Sequence, residues 1–315
     1  MGYMSEMSVT KVRTGHASAG AVPLRTSLVG LGAGVVWSFG ATLARMADGA
    51  DAWQYLIWRS VGIIVVLEAV NVVRRRRSPL VRAFREGWLM FAGCCSLFVA
   101  SIGFVYAVKN TSAANAAFLS SMSPLIAAVF GRVFLGERMS RVTLAAIALS
   151  VVGLAIMVVA DRGGGNVRGN IAAVCASFGF ALYTLCLRRD RVRNWDPIMP
   201  GYAFMMIVVC STITVSTGNS LVPSARDIAL ALLHGGVLIT IGTTMFNAAS
   251  RKVPAVAMAV FAQTETVFVP LWVFLKFSEQ PTWQTLLGGA LILVAVVGKA
   301  VLDNREARMA VGLSG

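Results

Sequence analysis

Charge is scarce in this chain, and acid is scarcer than base. Of 315 residues only 13% are Asp, Glu, Lys or Arg, and just 14 are acidic. A soluble domain usually carries about 25% charge, so this composition excludes an ordinary soluble enzyme. Histidine occurs twice, and all five cysteines (Cys94, Cys95, Cys175, Cys186, Cys210) fall inside apolar runs. None has the spacing of a zinc site, and no loop holds a pair for an external disulfide. The thiols read as small packing residues, and neither a metal site nor a cofactor is expected. Long loops are missing too: the longest, near 73–86, suits a surface turn and no domain. Residues 1–26 lack the short apolar core and cleavage site of a signal peptide, and read as a cytoplasmic tail. G-x-S-x-G, H-E-x-x-H and Walker A sequences are absent, as are paired histidines or aspartates within the apolar runs. These absences argue against a membrane-embedded enzyme and against direct ATP use.

What remains is 57% hydrophobic, arranged in ten runs near 27–47, 52–72, 87–107, 113–133, 141–160, 169–187, 198–217, 228–248, 254–275 and 283–302. A run of about 20 residues crosses a hydrocarbon core of roughly 30 Å as a helix. The expected fold class is therefore an all-α integral membrane protein with ten transmembrane helices. The intervening loops alternate between arginine-rich and arginine-poor. With the N-terminus inside, 21 of the 28 Lys and Arg residues fall on the cytoplasmic side, including Arg74–Arg77 and Arg188–Arg189. The positive-inside rule then puts both termini in the cytoplasm. A formal charge of +14 would suit nucleic acid. Here the basic residues sit in short loops at span ends, where they anchor helices to anionic lipid. Membrane lipids are the expected partners, and nucleic acid is not.

The chain repeats itself weakly. FLGERMSRVTL (134–144) aligns with KFSEQPTWQTL (276–286), placing Glu137 on Glu279 at an offset of 142. The same offset places Trp53 on Trp195 and Thr143 on Thr285; SFG at 38–40 recurs at 177–179. In order along two sets of five spans, these matches indicate a duplicated five-helix unit. Five crossings are an odd number, so the second copy enters the membrane upside down. Inverted repeats of this kind recur in secondary transporters, where two shapes of each copy open a central site to alternate sides. The expected organisation is a tail (1–26), a first repeat (27–160), an outer linker (161–168), a second repeat (169–302) and a tail (303–315).

The segment TSAANAAFLSSMSPLIAAVFGRVFLGERMSRVTL (111–144) resembles the EamA-type branch of the drug/metabolite transporter superfamily. Pro124, Gly136 and Glu137 match a small-residue run, a proline and a later Gly-Glu pair. The second half echoes it in VPAVAMAVFAQTETVFVPLWVFLKFSEQPT (253–282), where Glu265 matches the glutamate of a mid-helix Glu-Pro pair. Thr266 replaces that proline, Pro270 follows four residues later, and Ser123 stands before Pro124. The resemblance implies ten helices, both termini inside, and a central cavity lined by the first four helices of each repeat. It leaves the substrate open.

Two charges are unexplained by the alternation. Glu265 lies roughly 16 Å along its span at 1.5 Å per residue. An unpaired acid there costs about 2.5–3.5 kcal/mol on insertion scales. Proton coupling, recognition of a substrate amine, and a hydrogen bond to a neighbouring helix all fit it. Arg59, roughly 10 Å into the second span, suits a substrate carboxylate or phosphate, a membrane acid, or a structural or gating role. Gln263 adds polar atoms beside Glu265. Trp37, in WSFG, suits a cavity wall, and Tyr183 reads as a packing or membrane-belt aromatic or a substrate contact. His234 is the lone histidine of the spans; it reads as a ligand contact or as a neutral hydrogen-bonded side chain. Asn247 could bond a substrate or a carbonyl. Ser121 continues a small-residue row with Ala113 and Ala117, as Gly30 and Gly34 form a GxxxG; such rows let helices approach and slide. Arg45 is expected to form an interfacial pair with Asp48 or Asp51. Pro124 and Pro270 are expected to kink their helices.

The function these residues point to is secondary active transport by alternating access, with export favoured. The substrate would be a small metabolite, an amino-acid-like compound or a drug, with proton coupling through Glu265. A lipid or lipid-linked translocase is the alternative. Monomer and homodimer both remain open.

Overall fold

The computed structural model describes residues 24–74, 77–135, 140–160, 167–190, 193–250 and 255–312. Among these the chain is helical throughout, with no strand. The helices are α1 (Leu24–Met46), α2 (Ala52–Val73), α3 (Pro79–Arg85), α4 (Trp88–Asn110), α5 (Ala113–Ser120), α6 (Ser123–Leu135), α7 (Arg141–Ala160), α8 (Val167–Arg189), α9 (Ile198–Ser216), α10 (Ala225–Leu233), α11 (Thr240–Ser250), α12 (Ala255–Phe277) and α13 (Trp283–Gly312). A π-helical turn, His234–Ile239, joins α10 to α11. Seven segments are long and apolar enough to cross a membrane, and Arg141–Ile156 and Trp283–Lys299 are shorter apolar helices. Gly136, Glu137, the tail before residue 24 and residues 161–166 of the linker lie outside the described residues.

Short polar side chains start the helices by accepting hydrogen bonds from the first free backbone N–H groups. Asp51 accepts from Gln54 N at 2.8 Å, and Gln54 Oε1 accepts in return from Asp51 N at 3.0 Å. This reciprocal box fixes the start of α2. Ser140 accepts from Thr143 N at 3.1 Å, and Thr282 accepts from Thr285 N at 3.2 Å. These two caps sit at equivalent positions of the repeat, and so do the first residues of α5 and α12. Glu68, near the end of α2, accepts from Ser78 Oγ (2.8 Å) and Leu80 N (3.1 Å). It thereby ties the short helix α3 to α2.

The helix pairings cross between the two halves. Helix α1 packs along α12 and α11, while α8 packs along α5, α6 and α4. Two further pairs, α2 with α9 and α7 with α13, join equivalent helices directly. Glycine permits the closest crossings, because a helix backbone can approach another where no Cβ intervenes. A Cβ on Gly34 would stand 2.9 Å from the Phe261 carbonyl oxygen and 3.3 Å from Glu265 N, so α1 touches α12 at its acidic residue.

Pro124 acts differently from expectation. Pro124 is the second residue of α6, a position that tolerates a missing N–H. The chain is interrupted before it, at Ser121–Met122. Pro270, by contrast, lies within a continuous α12.

One end of the bundle is fastened by charge. Arg45 pairs with Glu279 at 3.4 Å and donates to the Thr111 carbonyl. Asp48 and Asp51 are therefore not its partners; Asp48 faces Arg226 at 3.5 Å, and Asp51 caps α2. Glu279 also accepts from Ala113 N at 3.0 Å, capping α5, and Thr285 donates to Asn115 Oδ1 at 3.0 Å. Ser278, at φ 56°, turns the chain back so that Glu279 can reach.

Candidate functional site

Midway along the helices a cavity of about 170 Å³ opens between α1, α2, α4, the α5–α6 break, α8, α9, α11 and α12. Among the described residues, α3, α7 and α13 contribute nothing to its lining. Seven residues singled out in the sequence meet here: Glu265, Arg59, Gln263, Trp37, Ser121, Tyr183 and His234. Asn247 does not. It lies one position beyond Phe246, which does face the cavity. In an α-helix that step is a rotation of about 100°.

Arg59 is 3% exposed. One terminal nitrogen donates to Ser101 Oγ, and the buried Nε has no partner among the described residues. Its position is set from behind. A Cβ on Gly235 would collide with the Arg59 carbonyl oxygen, and one on Gly62 would stand 2.7 Å from the Leu232 carbonyl. The π turn thus seats directly against α2 at Arg59. That turn frees backbone groups from the regular ladder, and Thr240 Oγ1 caps the Gly235 carbonyl at 3.1 Å.

His234 opens the turn. Its Nδ1 lies 2.9 Å from the Tyr55 hydroxyl, and its Nε2 faces Gly40, where a Cβ would collide with the ring. Of the two readings for this residue, the hydrogen-bonded one describes its Nδ1. Tyr183 is buried with a hydroxyl that has no partner among the described residues.

Glu265 has no hydrogen bond, ion pair or charged neighbour among the described residues. Gln263, two positions earlier, is buried and lies 3.4 Å from the Thr266 hydroxyl. Across the cavity Ser121 and Ser123 line the break between α5 and α6, with Ser121 Oγ donating to the Phe118 carbonyl at 2.6 Å. Ser123 is the repeat equivalent of Glu265. Trp37 stacks at a tilt on Phe246, centroids 5.1 Å apart, and closes one side.

Among the lining residues that escaped the sequence reading are Ser101, Phe104 and Tyr202. A hydroxyl or ring in an apolar run is common, and only the fold puts Ser101 beside Arg59. Among the described residues, no cluster of three or more His, Cys, Asp or Glu side chains could hold a metal ion.

A family model described as the EamA-like transporter family matches residues 24–159 and again 167–299. The chain belongs to that family. It is similar to the pseudopaline exporter CntI of Pseudomonas aeruginosa, 28% identical over 62% of this chain and 68% of the relative. It also resembles an uncharacterised transporter of Vibrio cholerae, at 23% identity over 86% of this chain and 90% of the other. The protein RarD of Salmonella typhi is 22% identical over 85% and 92% respectively. A crystal structure, 19% identical, superimposes with a TM-score of 0.64 over 89% of this chain and 99% of that one, which establishes the fold. The EamA-like protein is thus a multi-pass membrane transporter of small molecules.

Proposed function

We propose that this protein is a secondary active exporter of small metabolites. It works by alternating access, as two inverted five-helix repeats spanning 27–160 and 169–302 joined by an outer linker. It sits in a bacterial-type inner membrane with both termini cytoplasmic, and it carries out no catalytic step. The observation that carries this reading is Glu265, an acid with no partner among the described residues, midway along its helix and facing the cavity. An ionisable group so placed is costly and marks a substrate or ion path. The crossed pairings of the two halves and the equivalent caps at Ser140 and Thr282 support the inverted repeat. Export follows the printed role of the Pseudomonas relative, and the inner membrane follows the bacterial relatives. With the termini inside, the end fastened by Glu279 is the outer one.

Proton coupling is assigned to Glu265. In proteoliposomes, Glu265→Gln is expected to abolish net flux driven by a proton gradient while leaving substrate exchange measurable. If the pH dependence of flux is unchanged in that variant, Glu265 does not carry the proton.

A further inference from the structure

A second space lies at the end fastened by Glu279. It is a pocket of about 480 Å³ between the ends of α1, α4 and α9 and the start of α2. Arg45, Asp51, Trp53, Tyr106 and Lys109 line it, as do the exposed Asp48 and Asn219. It shares no lining residue with the central cavity. One side chain connects the two. Tyr55, fully buried on α2, lines neither space. The Lys109 ammonium of the outer pocket lies 5.2 Å from the centre of its ring. Its hydroxyl lies 2.9 Å from Nδ1 of His234, which lines the central cavity. From pocket to cavity the file is Lys109, Tyr55, His234.

We propose that Tyr55 is the partition between the outer pocket and the central cavity, and that a transported molecule passes between them when its ring moves aside. The inference rests on the transport reading of the cavity and adds a residue to its path. A tyrosine bonded to a histidine inside a solid core would need no further account. Here a space lies at each end of the file, and close packing leaves few such voids. The surroundings tie the partition to the fastened end. Lys109 donates to the carbonyls of Ala47 and, at 2.8 Å, Ala50, both in the connection between α1 and α2. The ammonium stays on the aromatic face, a favourable place for a cation, only while that connection stays. The connection is itself seated on α10, since a Cβ on Gly49 would stand 2.7 Å from Asp227 Oδ2. Arg45, which leads into it, is the partner of Glu279. On the cavity side His234 is backed by Gly40 of α1, where a Cβ would collide with its ring. Breaking the Arg45–Glu279 pair and moving the end of α1 therefore loosens Lys109 and His234 together, and with them the tyrosine between.

Thiol accessibility in the full chain tests this without any transported compound. The five native cysteines are replaced, and Ser120→Cys places one thiol on the wall of the central cavity. A charged, membrane-impermeant methanethiosulfonate is added to one face of sealed vesicles at a time, and the labelling rate is read. Tyr55→Ala is expected to raise the rate from the outer face about tenfold or more, because a lost ring leaves a hole. The rate from the cytoplasmic face should not change. Tyr55→Phe keeps the ring and loses only the bond to His234, so it should raise the outer rate about two- to tenfold. An unchanged rate from both faces overturns the partition. An equal rise from both faces also overturns it, since Tyr55 would then only hold the bundle together. Where Tyr55→Ala fails to fold, Tyr55→Phe and Lys109→Met each remove one contact at nearly constant volume; an unchanged outer rate in both overturns the proposal. A rise confined to the cytoplasmic face supports the partition and overturns the orientation given above. The reagent is no substrate, so a one-sided rise supports the partition even where reconstituted protein moves no solute, a result that would sink the exporter alone.

Discussion

Helix α12 runs unbroken from Ala255 to Phe277, while its counterpart 142 residues earlier stops at Ser120 and restarts at Ser123. The unbroken copy carries Gln263 and Glu265 into the cavity; the broken copy carries Ser121 and Ser123. The second half has its own irregularity elsewhere, in the π turn His234–Ile239, whereas α4 in the first half continues as a regular helix. Among the described residues each copy therefore departs from a plain helix once, in different members of the five. A duplicated scaffold gives two similar walls, and asymmetric substitution makes one of them acidic. Arg59 does the same for α2, whose partner α9 offers the cavity Tyr202. The site is polar in two directions because the repeat is imperfect.

The comparison can be broken at its most crowded point. Gly235→Ala adds a methyl where the Arg59 carbonyl already sits, so the π turn must leave α2. Overpacking of this sort costs about 1–3 kcal/mol or more. A clear fall in melting temperature in detergent is expected, and an unchanged value would mean that the two backbones are not in contact. Moving the acid between walls is the next largest test. Glu265→Ser should cut proton-driven flux about tenfold or more, since a serine does not exchange protons in this range. Adding Ser123→Glu should restore part of it. If the double variant stays silent, equivalence in the repeat is no guide to function at this depth.

The smallest effect is expected at the fastened end. Glu279→Ala removes a half-buried ion pair and the cap on α5. A lost cap costs about 1 kcal/mol, roughly a fivefold change in a two-state population. Spin labels at the ends of α5 and α12, in a cysteine-free background, should report a larger share of the separated state. An unaltered distance distribution would show that Glu279 is not what holds that end.

Much of this was readable in the sequence, for physical reasons. Apolar runs place spans because a bilayer tolerates no exposed backbone, and the ten runs coincide with helical segments to within a few residues, apart from the tail of α13. Glu265 and Arg59 stood out because charge is so costly in such runs. Direction was harder to read. Asn247 looked equivalent to its neighbours until the π turn fixed the rotation of α11, which gave the cavity to Phe246. Arg45 seemed bound to Asp48 and Asp51, three and six residues away, yet its partner is Glu279 from the other repeat. Proximity along the chain does not report who meets whom when the two halves interlock. Ser101 and Tyr202 carried no signal, since their value lies only in standing beside a guanidinium.

The π turn has one more consequence, which concerns counting. An i→i+5 turn accommodates an extra residue within an otherwise regular helix. Here it lets His234, Ile239, Thr243 and Phe246 share one face. Deleting a single residue between Gly235 and Leu238 would turn the segment into ordinary α-helix and swing everything after it by about 100°. Thr243 and Phe246 would leave the cavity, although every residue lining it would still be encoded. This stretch should therefore tolerate no change of length, so that the number of its residues is itself part of the site.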